Sequence, residues 1–165
     1  MESTRISSKD TAKMIRKILK QNFKGTKFSV KMNRGSSINI NWIDGPTEDQ
    51  VKSKVGHMHG ASFDGMIDLK TYHDTIVKTE DGEKIKIHFG NDYLFTGRNF
   101  TPEFLTKIAR EQEAEYHLIA PKILTSEYDG QGYMEDEGER MSNSQGPYWT
   151  MRSIIMRAAR ETAAS

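Results

Sequence analysis

The chain has 165 residues, no cysteine and a net charge of +1 at pH 7. This length fits one domain with an appended tail, and the missing cysteines exclude disulfides, zinc–thiolate sites and thiol nucleophiles. The N-terminus lacks an apolar signal region, and no apolar run approaches the length that spans a bilayer. The sequence therefore predicts a cytoplasmic protein.

The charges are distributed unevenly along the chain. Residues 1–56 hold 12 Lys and Arg against 5 Asp and Glu, a balance of +7, whereas residues 57–165 hold 12 against 18, a balance of −6. Such an asymmetry can create a basic face that meets phosphates or an acidic partner surface, although a Lys-rich helix can equally be a solvated face. The small total charge argues against strong sequence-independent nucleic-acid binding by the whole molecule.

The first predicted element is a helix over about residues 9–22. Ser8 is a suitable N-cap, and Asp10 complements the helix dipole in the first turn. One face carries apolar residues at helical spacing, namely Ala12, Ile15, Ile18 and Leu19. Much of the remaining surface is basic, with Lys9, Lys13, Arg16, Lys17 and Lys20. Gly25 ends the element and starts a turn.

A β-hairpin is predicted next, because apolar and polar residues alternate with a period of two on both sides of a turn. The apolar set is Phe28, Val30, Met32, Ile38, Ile40 and Trp42. Asn33–Ser36 supplies the turn, and Asp44-Gly45-Pro46 breaks the second strand. Thr47 with Gln50 then matches a capping box that opens a short helix to about Val55.

The second half of the chain contains two further strands and two helices. Residues 60–65 are predicted as a loop, 71–79 and 84–89 as strands, and 102–116 as a helix. This helix starts at Thr101-Pro102-Glu103, which places a cap, a proline and a dipole-matched acid in order. Residues 125–147 have few aliphatic side chains and are predicted as a long loop or disordered linker. A helical pattern returns from Tyr148 to Ala164.

These elements predict an α+β fold. Two β-hairpins form a small antiparallel sheet, and helices near 9–22, 47–56 and 102–116 pack mainly on one face of it. The predicted division is an α+β core domain over 1–118, an acidic Gly- and Ser-rich linker over 119–147 and a C-terminal helix over 148–165.

The order of several short motifs resembles a large polyvalent protein-associated domain over roughly residues 10–100. The motifs are Ile15-Arg16-Lys17, Lys27 to Val30, Ser37 to Thr47, Phe63 to Asp68, Phe89-Gly90-x-Asp92-Tyr93 and Arg98. The resemblance implies an α+β module of long phage and conjugative-element polyproteins, which act on host DNA metabolism or counter host defences. It implies no established active site.

A basic surface is the first candidate for binding nucleic acid or a protein partner. It combines the first helix with the polar side of the hairpin, and its residues are Lys13, Arg16, Lys17, Lys20, Lys27, Lys31 and Arg34. Asn39 and Asn41 can add hydrogen bonds there. No aromatic residue interleaves the polar side of the hairpin, and Trp42 is predicted to be a core residue, so the pattern gives little support to base stacking.

An acidic arm is the second candidate for binding a partner. Its charged residues are Glu127, Asp129, Glu135, Asp136 and Glu137, and Tyr128, Tyr133 and Met134 are possible apolar anchors. The segment shows neither helical nor strand periodicity, so a solvated linker is the plain interpretation. The alternative is an arm that mimics DNA or binds a basic channel of a partner.

A histidine and aspartate cluster is the candidate metal site. His57, His59, Asp64, Asp68 and His73 lie close together in sequence, and imidazole with carboxylate suits a first-row divalent metal. Turn chemistry at Asp64-Gly65 and a helix end beside the two histidines account for the same residues without a metal.

Asp44 in the Asp-Gly-Pro turn is the candidate general base. The alternative is that its carboxylate ends the hairpin by accepting hydrogen bonds from backbone amides, with Gly45 in a conformation that other residues avoid.

The leading functional prediction is a non-enzymatic phage or mobile-element protein that acts in the host cytoplasm. It binds a host protein or nucleoprotein target, as an anti-defence factor of the anti-CRISPR or anti-restriction type, and requires no cofactor. The first alternative is a DNA- or RNA-binding accessory module of phage replication. The second is a small metal-dependent enzyme that uses His57, His59, Asp64 and Asp68.

Overall fold

The computed structural model of the chain describes residues 3–33, 36–79, 81–141 and 149–164. Its helices are α1 (Ser8–Asn22), α2 (Glu48–Val55), α3 (Pro102–Tyr116) and α4 (Met151–Glu161). Its strands are β1 (Ser3–Ile6), β2 (Ser29–Met32), β3 (Ser37–Ile43), β4 (Ala61–Asp64), β5 (Leu69–Tyr72), β6 (Thr75–Lys78), β7 (Lys84–Phe89), β8 (Tyr93–Asn99), β9 (Ile123–Thr125), β10 (Gly132–Met134), β11 (Arg140–Met141) and β12 (Trp149–Thr150). The α+β prediction is confirmed.

The chain divides into two compact units. The first consists of Met1–Trp42 and Glu48–Gly97, and the second of Ile43–Thr47 and Arg98–Ser165. This division differs from the predicted boundaries at 118/119 and 147/148. The physical reason is that α3 and α4 share one hydrophobic core, so the boundary falls before α3 and not after it.

Helix α1 is amphipathic and buries one face in the first unit. Its N-cap is Ser7, one residue earlier than predicted, and the Ser7 hydroxyl accepts a hydrogen bond from the Asp10 backbone amide at 3.1 Å. Its buried residues are Thr11, Ala12, Ile15 and Leu19. The helix ends where the Phe23 amide donates to the Leu19 carbonyl at 2.9 Å, and Gly25 reverses the chain with φ +92°.

The two predicted hairpins form, but they belong to different sheets. The β2–β3 hairpin lies in a three-stranded sheet of order β2-β3-β8, and the β6–β7 hairpin lies in one of order β1-β7-β6. Strand β1 runs parallel to β7, with Ser3 opposite Lys86 and Ile6 opposite Phe89. Strands β4 and β5 form a separate antiparallel pair where a loop and the start of a strand were predicted.

The core of the first unit lies between its helices and its strands. It contains Ala12, Ile15, Leu19, Val30, Ile38, Ile40, Trp42, Val51, Val55, Met58, Ile87 and Phe89. The alternation along β3 places Ile38, Ile40 and Trp42 inside, as the period-two pattern predicts. Asn91 is also fully buried, and its side-chain amide donates to the Met58 carbonyl at 2.8 Å.

The second unit is held together by α3, α4 and the short strands between them. Its core residues are Phe100, Phe104, Leu105, Ile108, Ala109, Met134, Met151, Ile154, Ile155 and Ala159. Asp44 accepts hydrogen bonds from the Thr101 amide at 2.9 Å and the Thr101 hydroxyl at 2.7 Å, and Thr101 in turn caps α3. Among the described residues, no helix is long and apolar enough to cross a membrane.

Arg98 forms hydrogen bonds with the C-terminal end of α4. Its guanidinium donates to the carbonyls of Ala159 at 3.0 Å and Thr162 at 2.9 Å, and also to those of Asp44 at 2.8 Å and Gly45 at 3.1 Å. The side chain is buried. A cation is favoured at this position because the last carbonyls of a helix carry partial negative charge.

Candidate partner-binding surface

The exposed side of α1 is basic. Cations recur three or four residues apart, so they form one stripe opposite the buried residues. They are Lys9, Lys13, Arg16, Lys17 and Lys20, and all are exposed. Asp10 is the one acid on this helix; it pairs with Lys13 at 3.1 Å and bonds to Ser7, and these contacts, Ser7 first, lower its pKa. The helix therefore presents a nearly uniform positive face.

A groove opens where α1 ends and the chain turns back toward β2. Its volume is about 600 Å³, and its floor is formed by Leu19, Phe23 and Phe28. Cations surround this floor, namely Arg16, Lys20, Lys24 and Lys27. We call this feature the basic groove. It combines an apolar floor with a positively charged rim, which suits a ligand that is both anionic and apolar.

The rim cations of the basic groove have no acidic partner in the described part of the chain. No Asp or Glu side chain there lies within ion-pair distance of Lys20, Lys24 or Lys27. Arg16 uses one guanidinium nitrogen to donate to the Val30 carbonyl at 2.7 Å, which fixes the side chain over the groove. The positive potential at the rim is therefore not neutralised locally.

The structure separates the strand part of the predicted basic surface from the helix part. Val30 is buried in the core against α1, and successive side chains of a strand point to opposite faces, so Lys31 lies on the face away from α1. Lys31 stands opposite Asn39 in the β2–β3 pair. Lys27 precedes β2 and joins the groove. Arg34 lies outside the described residues.

Sequence reasoning missed two components of this site. Lys24 continues the spacing of Arg16 and Lys20, yet it follows the helix end and was left out of the predicted surface. Phe23 and Phe28 place aromatic rings among the cations, with ring centroids 5.9 Å apart, where no interleaved aromatic was expected. The signal that could have found both was the reversal at Gly25, which brings the residues on either side of it together.

The predicted acidic arm is a folded part of the second unit up to residue 141. Strands β9 and β10 form a hairpin, and Met134, a predicted apolar anchor for a partner, is buried in the core of the second unit. Several carboxylates serve local structure: Asp129 accepts from the Gln131 amide, Asp136 from the Gly138 amide and Glu137 from the Thr150 hydroxyl. Residues 142–147 of the predicted linker lie outside the described residues.

The remaining residues of the arm are open at the surface. Glu127 and Glu135 are exposed, Tyr133 is about half exposed, and Tyr128 at the hairpin turn is fully exposed. The turn is fixed by two backbone hydrogen bonds, from the Ser126 amide to the Gln131 carbonyl and from the Gly130 amide to the Ser126 carbonyl. The arm therefore presents a tyrosine on a rigid turn.

The histidine and aspartate residues do not form a shared metal shell. Among the described residues, no group of three or more His, Asp or Glu side chains is arranged to hold a metal ion. Asp64 accepts from the Met66 amide at 2.9 Å, and Asp68 sits in the same β4–β5 turn with φ +50°. His59 and His73 are in ring contact with centroids 4.9 Å apart, and burial together with the neighbouring His59 lowers the pKa of His57.

Asp44 has a structural role at the start of α3. Both its carboxylate oxygens accept from Thr101, so the carboxylate orients the N-cap of α3. Its backbone and that of Gly45 are in the left-handed region, with φ +52° and +58°. This geometry agrees with the turn-forming alternative for Asp44, except that its partner is distant in sequence.

Asp92 lies in a polar cluster of the first unit. Its carboxylate accepts from the Lys70 ammonium at 2.7 Å and from the Ser36 hydroxyl. The Lys70 ammonium also lies 4.8 Å from the ring centroid of Tyr72 and 5.6 Å from that of Tyr93. Lys70 and then Ser36 lower the pKa of Asp92, and Asp92 raises the pKa of Lys70.

The Asp92 site makes a prediction about acid stability. A carboxylate whose pKa is lowered in the folded state stabilises that state above its ordinary pKa, and this contribution is lost as the pH falls through the folded value. We expect Asp92→Asn to lower the free energy of unfolding by about 1 kcal/mol at pH 7, and this difference to shrink as the pH falls below 3.8, the ordinary pKa of the carboxyl group.

Chemical denaturation across this pH range measures the effect. Asp68→Asn is the control, because it removes the same charge from an exposed turn whose positive φ asparagine tolerates. If the difference in free energy of unfolding between wild type and Asp92→Asn does not change with pH, the prediction is contradicted.

The comparisons with known proteins agree with the sequence motifs. The family model of large polyvalent protein associated domain 29 matches residues 6–101, a range that contains the whole basic groove and none of the acidic arm. No curated protein and no solved structure matched the chain. The predicted resemblance over about residues 10–100 is therefore confirmed. Because the match covers more than half of the chain, the protein belongs to the large polyvalent protein associated domain 29 family of phage and mobile-element proteins.

Proposed function

We propose that this protein is a non-enzymatic binding protein of a phage or other mobile element. It acts in the host cytoplasm and uses the basic groove to bind a host protein or nucleoprotein complex, as an anti-defence factor of the anti-CRISPR or anti-restriction type. The observation that carries the proposal is the set of rim cations, Lys20, Lys24 and Lys27, that surround an apolar floor without acidic partners in the described chain.

The charges of the two units support a protein target. The first unit holds 16 Lys and Arg against 11 Asp and Glu, and the second holds 8 against 12. A molecule with a positive and a negative part gains specificity from charge complementarity, because the wrong partner meets repulsion at one of them. Uniform attraction to nucleic acid would instead favour one sign throughout.

The test of the proposed function is affinity capture from a nuclease-treated host lysate with mass spectrometry. We expect wild-type protein to retain a stoichiometric host protein, and Lys20→Glu with Lys24→Glu to reduce the retained amount by about tenfold or more. Lys78→Glu with Lys84→Glu is the matched control. It makes the same change in total charge on the β6–β7 hairpin, where the two lysines face each other and do not line the groove.

Equal capture by the two double variants would contradict the role of the groove. Recovery of nucleic acid alone from an untreated lysate, with no stoichiometric protein, would contradict the proposed function itself.

A nucleic-acid-binding accessory module of phage replication is the second candidate, and the basic stripe of α1 is the observation that favours it. Regular cations on a helix can contact successive phosphates, and such binding weakens steeply as salt rises. If this candidate holds, purified protein binds oligonucleotides directly, and Lys13→Glu with Lys17→Glu abolishes that binding. Fluorescence anisotropy at two salt concentrations decides between this candidate and a protein target.

A further inference from the structure

The floor of the basic groove is apolar and firmly supported. Phe28 contacts Phe23 on one side and Trp42 of the core on the other, with ring centroids 5.9 Å and 5.5 Å apart. Leu19 is buried beneath them. Because these rings are braced against the core, the floor cannot collapse to fill the groove without losing packing. The groove is therefore a preformed receptor for apolar atoms.

The cations at the rim of the groove favour a negatively charged ligand. The four cations come from both sides of the turn at Gly25. Arg16, Lys20 and Lys24 precede the turn, and Lys27 follows it. An apolar side chain that enters between them brings its chain neighbours close to these cations. Carboxylates at those neighbouring positions would be attracted, and lysine or arginine would be repelled.

We infer that the basic groove binds a short acidic segment of a partner protein, in which one aromatic or large aliphatic side chain is flanked by Asp or Glu. This inference rests on the proposed function and names the chemistry of the target at its contact point. The apolar side chain fills the space above Leu19, Phe23 and Phe28, and the carboxylates pair with the rim. A buried apolar anchor within a polar rim is the usual arrangement of a protein–protein interface.

The shape of the floor favours a peptide over stacked bases. Base stacking requires an exposed, flat ring face, whereas Phe23 and Phe28 are both partly buried and inclined at 48° to each other. A concave site of about 600 Å³ with inclined rings accommodates a branched or aromatic side chain. Nucleic acid therefore stays an outcome of the test and is not the proposed occupant.

The test begins with selection from a random-peptide display library on immobilised full-length protein. We expect the enriched peptides to carry one Trp, Tyr, Phe or Leu with Asp or Glu on both sides. Synthetic versions of the best peptide should bind wild type, and replacing the apolar residue with alanine should weaken binding about thirtyfold, the effect of losing one buried large side chain.

Two protein variants locate the binding. Thr26→Trp fills the groove from its edge without changing charge, because Thr26 lines it and is only partly buried. We expect this variant to keep the wild-type melting temperature and to lose the peptide, as Lys20→Glu with Lys24→Glu does. The control with Lys78→Glu and Lys84→Glu should bind like wild type.

The other outcomes overturn the inference in distinguishable ways. If Thr26→Trp still binds the peptides, or if the enriched peptides lack the acidic and apolar pattern, the inference fails. If Thr26→Trp loses oligonucleotide binding and no peptide is enriched, the occupant is nucleic acid. Wild type that sediments as a dimer, with Thr26→Trp a monomer, would assign the groove to a second copy. If Thr26→Trp still captures the host protein and Lys20→Glu with Lys24→Glu does not, the inference about the peptide fails and the proposed function is retained.

Discussion

Replacing Arg98 with alanine is expected to destabilise the second unit by about 3 kcal/mol or more. The guanidinium donates to the carbonyls of Asp44, Gly45, Ala159 and Thr162, and it lies 4.9 Å from the ring centroid of Phe100. Removing it takes a donor from the buried Ala159 carbonyl and from three partly buried carbonyls, and an unsatisfied buried polar group costs about 1 to 3 kcal/mol. The same change removes the positive charge that the C-terminal end of α4 favours.

Arg98→Lys separates the effect of charge from that of geometry. Lysine keeps the positive charge, but a single ammonium cannot reach all the carbonyls that the guanidinium contacts through its three nitrogens. We therefore expect Arg98→Lys to lose most of the stability that Arg98→Ala loses. If charge at the helix end were the main contribution, lysine would restore stability almost completely.

Hydrogen exchange measured on peptides from α3 and α4 shows which of the two helices loses stability. Exchange in α4 should accelerate strongly in Arg98→Ala. Arg110→Ala is the matched control, since it removes an exposed arginine from α3 of the same unit and should change the free energy of unfolding by less than about 0.5 kcal/mol. Unchanged exchange in α4 of Arg98→Ala would contradict the role assigned to the guanidinium.

Helices were predictable because their signals are local. The apolar spacing of Ile15 and Leu19 defines α1, and Thr101-Pro102 marks the start of α3. The sheets were less predictable because strand pairing is a long-range property. Strand β1 pairs with β7 more than eighty residues away, and its four residues carry no alternation that would reveal it.

The contacts of the segment before α4 were hard to predict for a related reason. The segment over 119–147 is poor in aliphatic residues, which predicts a linker. In the structure a few apolar side chains suffice, because Met134 is buried and Ile123 and Met141 pack partly against the α3–α4 core. A low average hydrophobicity therefore concealed a small number of well-placed contacts.

The candidate site was half predictable. Periodicity identified Arg16 and Lys20, but the groove also requires Lys24, Lys27 and the two phenylalanines, which a chain reversal brings together. The orientation of Lys31 depends on which face of β2 packs against α1, and the sequence does not show this. Once Val30 is known to face α1, strand alternation places Lys31 on the opposite face, away from the groove. The acceptors of Arg98 left no signal at all, because they are backbone carbonyls that any residue could supply.

Gly60→Ala is expected to destabilise the first unit by about 3 kcal/mol. A methyl group on Gly60 would overlap the carbonyl oxygen of Phe89 and lie 3.3 Å from the His88 ring. The backbone cannot retreat, because the Gly60 amide donates to the Asn91 carbonyl at 2.8 Å and the Gly60 carbonyl accepts from His73 at 2.9 Å. Overpacking against fixed backbone costs about 1 to 3 kcal/mol or more, since a hydrogen bond or a strand position must be given up.

Gly65→Ala is the control that makes this prediction specific. A methyl group on Gly65 would meet only the Phe63 ring at 3.8 Å, an ordinary contact, so we expect its stability to stay within about 0.5 kcal/mol of wild type. Urea denaturation of both variants measures the difference directly. Because both substitutions reduce the freedom of the unfolded chain equally, a lower stability of Gly60→Ala alone must arise in the folded state. Equal stabilities of the two variants would contradict the close approach of Gly60 to the Phe89 carbonyl.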